Sequence, residues 1–219
     1  MSTRPSKIVC VGRSYVEHAK ELGNAIPERP VLFMKPPSSL IGLEEGISWN
    51  PAWGDCHHEC ELCLRIDRPL SRESQPEQAL QAVGAVTLGL DLTLRQLQSE
   101  LKAQGQPWER AKAFDGSCVL GDWVGLEEVK DWKQVRYSLH VNQSLRQQGD
   151  TSLLIFDIGT LLAEISQIFS LEPGDVIMTG TPAGVAALQP GDQLSMTLKG
   201  VSKDFSWHTS VKSSGEVSW

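Results

Sequence analysis

From His58 to Ile66 the chain alternates with a period of two. Cys60, Leu62, Leu64 and Ile66 fall on one side, and Glu59, Glu61, Cys63 and Arg65 on the other. Successive side chains point to opposite faces only in an extended strand, so this segment must lie in a sheet with one packed face and one wet or functional face. It also puts two carboxylates on the same face, about 7 Å apart by strand geometry.

The rest of the chain supplies partners for such a strand. Lys7 to Gly12 reads as a buried strand closed by glycine, Val31 to Met34 as a second one stopped at Lys35-Pro36-Pro37, and Ala82 to Leu92 as a strand buried on both sides with Asp91 at its end. Tyr137–Val141, Asp175–Met178 and Gln193–Leu198 are further candidates. Pro173-Gly-Asp175 and Pro190-Gly-Asp192 are turn signals of one form, which predicts that the runs after them are successive strands of one sheet. Short helices are predicted over Ser14–Leu22, with Gly23 as the residue past its end, and over Thr160–Ile168. Another should run from a capping box at Thr93-Leu-Arg-Gln96 to about Gln104. The expected class is mostly β, an α+β fold with short peripheral helices.

With 219 residues, 40% hydrophobic and 21% charged, the chain can bury one core. The expectation is a single domain over 1–219, its core at about 7–200 and its polar tail, Lys212 to Ser218, loose. A net charge of -7 and a pI near 5.3 argue against a nucleic-acid partner, which needs a basic patch to displace counterions from phosphates. The apolar run Ile8–Val11 is too brief for a signal peptide or a membrane span, so a cytoplasmic protein is expected. Five cysteines, an odd number in a chain of this size, fit a reducing compartment.

Two chemistries compete for Asp55-Cys-His-His-Glu-Cys-Glu-Leu-Cys63. Cys60-Glu-Leu-Cys63 has the C-x-x-C form of a zinc or redox site, and Cys56, His57 and His58 are close by. Against that, residues three apart on a strand point to opposite faces, and no second C-x-x-C completes four ligands. Alternatively, Glu59 and Glu61 lean onto one hard cation, with Asp91 as a third carboxylate, since a charge ending an apolar strand is costly unless paired or metal-bound. Spacing alone leaves that reading level with a plain acidic strand face.

Seven segments, in order and covering nearly the whole chain, carry a resemblance. They are Gly12-Arg-Ser-Tyr-Val-Glu-His-Ala-Lys-Glu21, Val31-Leu-Phe-Met-Lys-Pro36, His57-His-Glu-Cys-Glu61, Leu90-Asp-Leu-Thr-Leu-Arg95, Gly105-Gln-Pro-Trp108, Ala111-Lys-Ala-Phe114 and Gly174-Asp-Val-Ile-Met-Thr-Gly-Thr-Pro182. Together they resemble the fumarylacetoacetate hydrolase family, in particular its short acylpyruvate hydrolase and oxaloacetate decarboxylase type. The resemblance implies a mixed β-sandwich roll, usually a homodimer, with Glu59, Glu61 and Asp91 holding Mg²⁺; Mn²⁺ is an alternative and Ca²⁺ could occupy the site. It implies His18 and Glu21 as a catalytic pair on a lid, Lys112 beside a developing enolate, and Arg95, Gln98 and Thr181 as substrate contacts. The Thr179-Gly-Thr-Pro182 loop, Thr181 included, would offer a hydroxyl and backbone amides to the substrate carboxylate.

The expected activity is hydrolysis of a C–C bond in a 3-acylpyruvate, with oxaloacetate decarboxylation on the same scaffold. The alternatives are isomerisation or decarboxylation of unsaturated 2-oxo dicarboxylic acids, and a non-catalytic zinc or redox protein built on Cys56, Cys60 and Cys63. The sequence departs from the family pattern at Ser14, where Asn is expected, at Cys60 and Cys63, and at Ala183 and Ala186 beside the Thr179-Gly-Thr-Pro182 loop.

Overall fold

The computed structural model describes residues 4–213; the expected loose tail lies almost entirely outside them. The apolar runs assemble into an eight-stranded mixed sheet. Its order is Val31–Lys35, Ile8–Gly12, Val176–Met178, Cys60–Ile66, Val83–Asp91, Cys118–Leu120 and Leu40–Gly42, with Val124–Gly125 also paired to Val83–Asp91. Ile8–Gly12 runs parallel to Val176–Met178, and Leu40–Gly42 parallel to Cys118–Leu120, whereas the central pairing of Cys60–Ile66 with Val83–Asp91 is antiparallel.

A four-stranded antiparallel sheet follows the order Ser144–Asp150, Arg136–Val141, Gln193–Lys199 and Phe205–Ser210. Its inner residues Tyr137, Leu139, Leu194 and Met196 join Leu62, Leu64 and Leu88 of the large sheet in one core. Each fully buried leucine there contributes about 1.5–3 kcal/mol relative to exposure. A small third sheet pairs Cys56–His58 with Ala186–Ala187 and Thr93–Leu94.

Four expectations need correction. The face carrying Glu61 and Cys63 is not wet: Cys63 packs with Ile8, Cys10, Cys118 and Met178 in a second apolar cluster, because the large sheet is covered on both sides. The two Pro-Gly-Asp turns serve different sheets, so the shared motif is local chemistry. In each, the Asp carboxylate accepts from the amide three residues earlier, Glu172 to Asp175 and Gln189 to Asp192, both at 2.8 Å.

Thr93 does not cap a helix; it enters the small sheet, its hydroxyl donates to the Asp91 carbonyl, and the helix begins at Arg95. Finally, Lys35 does not stop its strand but is its last residue and is buried. The first helix is also shorter than expected, Val16–Glu21, whereas the later one starts earlier, Ile158–Ile168, capped by the Asp157 side chain on the Thr160 amide. Among the described residues no helix is long and apolar enough to cross a membrane.

Candidate active site

The centre forms where two strands end side by side. Glu59 occupies the break between Cys56–His58 and Cys60–Ile66, and Asp91 closes Val83–Asp91. The pairing of Cys60 with Leu90, and the Asp91 amide donating to the Glu59 carbonyl at 2.9 Å, bring the two together. Glu61 lies one residue beyond Cys60, opposite Gly89. Carboxylate oxygens of Glu59, Glu61 and Asp91 lie within 4.8 Å of one another, and all three residues are at most 5% exposed.

Three cations from three other elements meet them. Lys112, at the end of the Glu109–Lys112 helix, donates to Glu59 Oε2 at 2.8 Å and to Asp91 Oδ2 at 2.6 Å. Arg95 Nη2 donates to Glu59 Oε1. Lys35 Nζ stands 2.8 Å from Asp91 Oδ1 as an ion pair, while its hydrogen bonds go to the carbonyls of Leu92 and Lys112. Burial pushes the Glu59 carboxyl up, but Lys112 and then Arg95 outweigh it and hold the group well below the usual carboxylate range. Burial likewise works to lower the Lys112 ammonium, and Asp91 and Glu59 reverse it to a net rise.

Glu61 is the odd member. It has no cationic hydrogen-bond partner; the Gly180 amide donates to its Oε2 at 2.7 Å. Burial, then Asp91 and Glu59, push its carboxyl well above the ordinary range. A buried carboxylate facing two others, with Lys112 only partly offsetting them, is what a further cation relieves, and three oxygen donors suit a hard divalent ion with waters or substrate completing the shell. Lys35 was not assigned a role from the sequence. The signal was the same one that marked Asp91, a charge at the end of an apolar strand.

The carboxylates form one wall of a cleft lined also by Arg13, His18, Phe33, Arg95, Gln98, Lys102, Trp108, Lys112 and Thr181. Gln98 Oε1 accepts from Arg95 Nη1 at 2.7 Å, and Arg95 Nε is buried with no acceptor. On the Val16–Glu21 helix, His18 Nδ1 is 3.3 Å from Glu21 Oε2. With a carboxylate as acceptor, Nδ1–H is the donor, which leaves the lone pair of the neutral ring on Nε2. Glu21 also accepts from the Gly184 amide at 3.0 Å, tying this helix to the loop after Pro182. Gly184 has φ +99°, and a Cβ there would stand 2.0 Å from the Arg146 carbonyl, so only glycine fits that corner.

The Thr179–Pro182 loop is pinned to the strand bearing Glu61. Thr179 Oγ1 donates to the Leu62 carbonyl and Thr181 Oγ1 to the Cys60 carbonyl, each at 2.8 Å. The Thr181 hydroxyl proton is therefore committed, which removes one of the two donors considered for it and leaves the backbone amide. Gly180 has φ +100°, and a Cβ there would collide with Ser14, so the small residue at 14 and the glycine at 180 fit each other.

Gln147 was not seen from the sequence. Buried within Ser144–Asp150, it accepts at Oε1 from the Cys60 amide at 2.9 Å and meets His58 Nδ1 at 2.9 Å. Its Nε2 donates to Thr181 Oγ1 at 2.7 Å and to the Pro182 carbonyl at 2.9 Å. It sits in a polar run, Ser-Leu-Arg-Gln-Gln-Gly-Asp150, whose pattern does not single it out.

The cysteines do not make a metal site. All five are free and buried, and burial is the first cause raising each thiol, Cys56 and Cys118 to about 12. Among the described residues, the single cluster of three or more His, Cys, Asp or Glu side chains able to share an ion is Glu59, Glu61 and Asp91.

The family model described as fumarylacetoacetate (FAA) hydrolase C-terminal matches residues 7–203. The chain belongs to the fumarylacetoacetate hydrolase family. Among family members, the oxaloacetate tautomerase YcgM of Escherichia coli strain K12 is 45% identical over 196 residues, 89% of each chain. A mitochondrial oxaloacetate decarboxylase of Dictyostelium discoideum is 39% identical over 199 residues, 90% of this chain and 91% of the relative. The crystal structure of fumarylpyruvate hydrolase from Pseudomonas aeruginosa, in complex with Mn²⁺ and pyruvate, superposes with a TM-score of 0.84 at 31% identity. That likeness covers 94% of this chain and 90% of that one. The sheet-dominated α+β architecture with few short helices is thus that of the fumarylacetoacetate hydrolase family.

Proposed function

We propose that the protein interconverts keto and enol forms of a small 2-oxo acid, with oxaloacetate as the leading substrate and Mg²⁺ or Mn²⁺ as the ion. The observation that carries this is the buried trio Glu59, Glu61 and Asp91 in one cleft with the His18–Glu21 pair. The activities named for its relatives support oxaloacetate.

What the three carboxylates would bring in with a divalent ion is Lewis acidity at the 2-oxo oxygen, which acidifies the neighbouring C3 protons. His18 Nε2 takes the C3 proton, the electron pair moves into the C2–O unit, and protonation of that oxygen completes the enol. Glu21 fixes the His18 tautomer and stabilises the imidazolium while it holds the proton. Arg95, which lines the cleft, offers its guanidinium to the substrate carboxylate, and Gln98 holds that group in place. The Thr181 amide, on a loop that also lines the cleft, is a second donor. Lys112 keeps two of its three protons on Glu59 and Asp91, so it acts on developing negative charge chiefly through its field.

A second reading is hydrolysis of a 3-acylpyruvate, supported by the likeness to a fumarylpyruvate hydrolase. There His18 takes a proton from the water that attacks the distal carbonyl, and the C–C bond breaks to give an acid and the enol of pyruvate. Loss of CO₂ from oxaloacetate leads to the same enol without water.

The deciding experiment gives metal-stripped protein oxaloacetate or acetylpyruvate, with and without Mg²⁺ or Mn²⁺, and follows enol absorbance and pyruvate release separately. Metal-dependent ketonisation without pyruvate is the expected result. Pyruvate from oxaloacetate would make it a decarboxylase, and faster cleavage of acetylpyruvate a hydrolase. No change in either substrate, with the metal bound, would overturn the reading. The implied homodimer is supported by Leu145 and Leu153, 52% and 65% exposed beside the loop at Pro182, an apolar face that a second copy would cover; sedimentation tests it.

A further inference from the structure

The cleft carries more positive charge than its carboxylates use. Lys35, Lys112 and Arg95 are each paired with Glu59 or Asp91, but Arg13 and Lys102 are not. Arg13 directly follows the Ile8–Gly12 strand with φ +57°, in the left-handed region that non-glycine residues rarely occupy, and the turn sets it on the cleft wall, half-buried. Lys102 comes from the last turn of the Arg95–Ala103 helix, and its ammonium donates to a neutral acceptor, Asn24 Oδ1, at 3.1 Å. Among the described residues no carboxylate pairs with either. Partial burial, then Arg13 and Arg95, hold the Lys102 ammonium below its usual range, so the three cations sense one another.

Like charges gathered in a partly desolvated cleft repel, and the cost is recovered when an anion enters. The chain as a whole is acidic, at -7, so this local surplus is opposite in sign to the molecule's own field. The end of a 2-oxo acid that meets Glu59, Glu61 and Asp91 brings one carboxylate, and Arg95 lines the cleft to receive it. That leaves Arg13 and Lys102 without an assigned anion.

We propose that Arg13 and Lys102 form a subsite for a second carboxylate, at the substrate end remote from the 2-oxo acid group, so that the cleft selects dicarboxylic over monocarboxylic 2-oxo acids. The inference rests on the proposed function and adds to it the residues that read the far end of the substrate. Oxaloacetate and the acylpyruvates with a terminal carboxylate qualify; acetylpyruvate does not.

The test uses malate and lactate, unreactive 2-hydroxy analogues that differ by one carboxylate, titrated calorimetrically into Mn²⁺-loaded protein. Wild type should prefer malate by about tenfold or more, the worth of one charge-assisted contact. In the double variant Arg13→Gln, Lys102→Gln the ratio should fall toward one, through lost malate affinity. Lys102→Gln alone, at an exposed helix position, should lower the ratio about threefold and keeps the test available if the double variant fails to fold. A malate preference that is undiminished in either variant, or wild type binding both ligands equally, would overturn the subsite. Binding of neither ligand by Mn²⁺-loaded wild type would instead overturn the underlying site reading.

Discussion

Lys112 Nζ and Asp91 Oδ2 stand 2.6 Å apart with both side chains buried, and the same ammonium reaches Glu59 Oε2 at 2.8 Å. One lysine therefore spans two strand ends that would otherwise repel. Removing one partner of a buried pair strands the other charge. Lys112→Met is expected to lose about 3–5 kcal/mol of stability without metal, as breaking a buried pair does. Saturating Mn²⁺ should recover part of that loss, measured by urea unfolding in both states.

Glu61 makes the opposite prediction. Burial, Asp91 and Glu59 outweigh Lys112 and the single backbone donor at its carboxyl, so Glu61→Gln should leave metal-free protein as stable as wild type or more so. The stabilisation wild type gains from divalent ion, about 2.7 kcal/mol at a hundredfold excess over Kd, should disappear. Thermal unfolding with and without Mn²⁺ reads both effects.

If His18 Nε2 is the base, His18→Ala should slow ketonisation of oxaloacetate, and any acylpyruvate hydrolysis, by about 10²- to 10⁴-fold. Decarboxylation needs no proton abstraction by His18 and should be spared. Equal loss of all three activities would remove His18 from that role.

Gln147→Leu leaves the Cys60 amide, His58, Thr181 and the Pro182 carbonyl short of a partner in a buried site. The expected cost is about 2–4 kcal/mol, from one or two buried polar groups unsatisfied. The loop bearing Thr181 should also exchange its amide hydrogens faster, which hydrogen-exchange mass spectrometry would show.

Asp175 gives the pH dependence. Burial works to raise its carboxyl, but the Lys7 ammonium, the amides of Glu172 and Lys7 and the Ser6 hydroxyl hold it below the ordinary range. A depressed folded pKa contributes stability that is present above the unfolded value, about 3.9, and lost as pH falls through the folded value. Asp175→Asn should therefore cost about 2 kcal/mol at pH 7, the scale of charge-assisted bonds, and progressively less below pH 4. A gap that stayed constant from pH 7 to pH 3 would refute the assignment.

Period-two alternation was enough to make Cys60–Ile66 a strand with Glu61 and Cys63 on one face, and the cost of an unpaired charge was enough to mark Asp91. These are local rules, set by backbone geometry and solvation, and they act on neighbours in sequence. Matching motifs added the His18–Glu21 pair, Lys112, Arg95 and Gln98; all but Glu21 line the cleft, and Glu21 reaches it through His18. Only the tertiary structure decided that the face of Glu61 is covered, since whether a strand is wet depends on what packs over it. It also decided that the Pro-Gly-Asp turns serve separate sheets and that Thr93 joins a strand, because pairing across the chain outweighed a capping motif worth about 1 kcal/mol. Lys35 and Gln147 reach the centre from 24 and 88 residues away from Glu59, as 59 - 35 and 147 - 59 give. Long-range partnerships of that kind leave no periodic trace: Lys35 is marked only as a charge ending an apolar strand, and Gln147 looks like an ordinary polar residue until the sheets bring it to His58, Cys60 and Thr181.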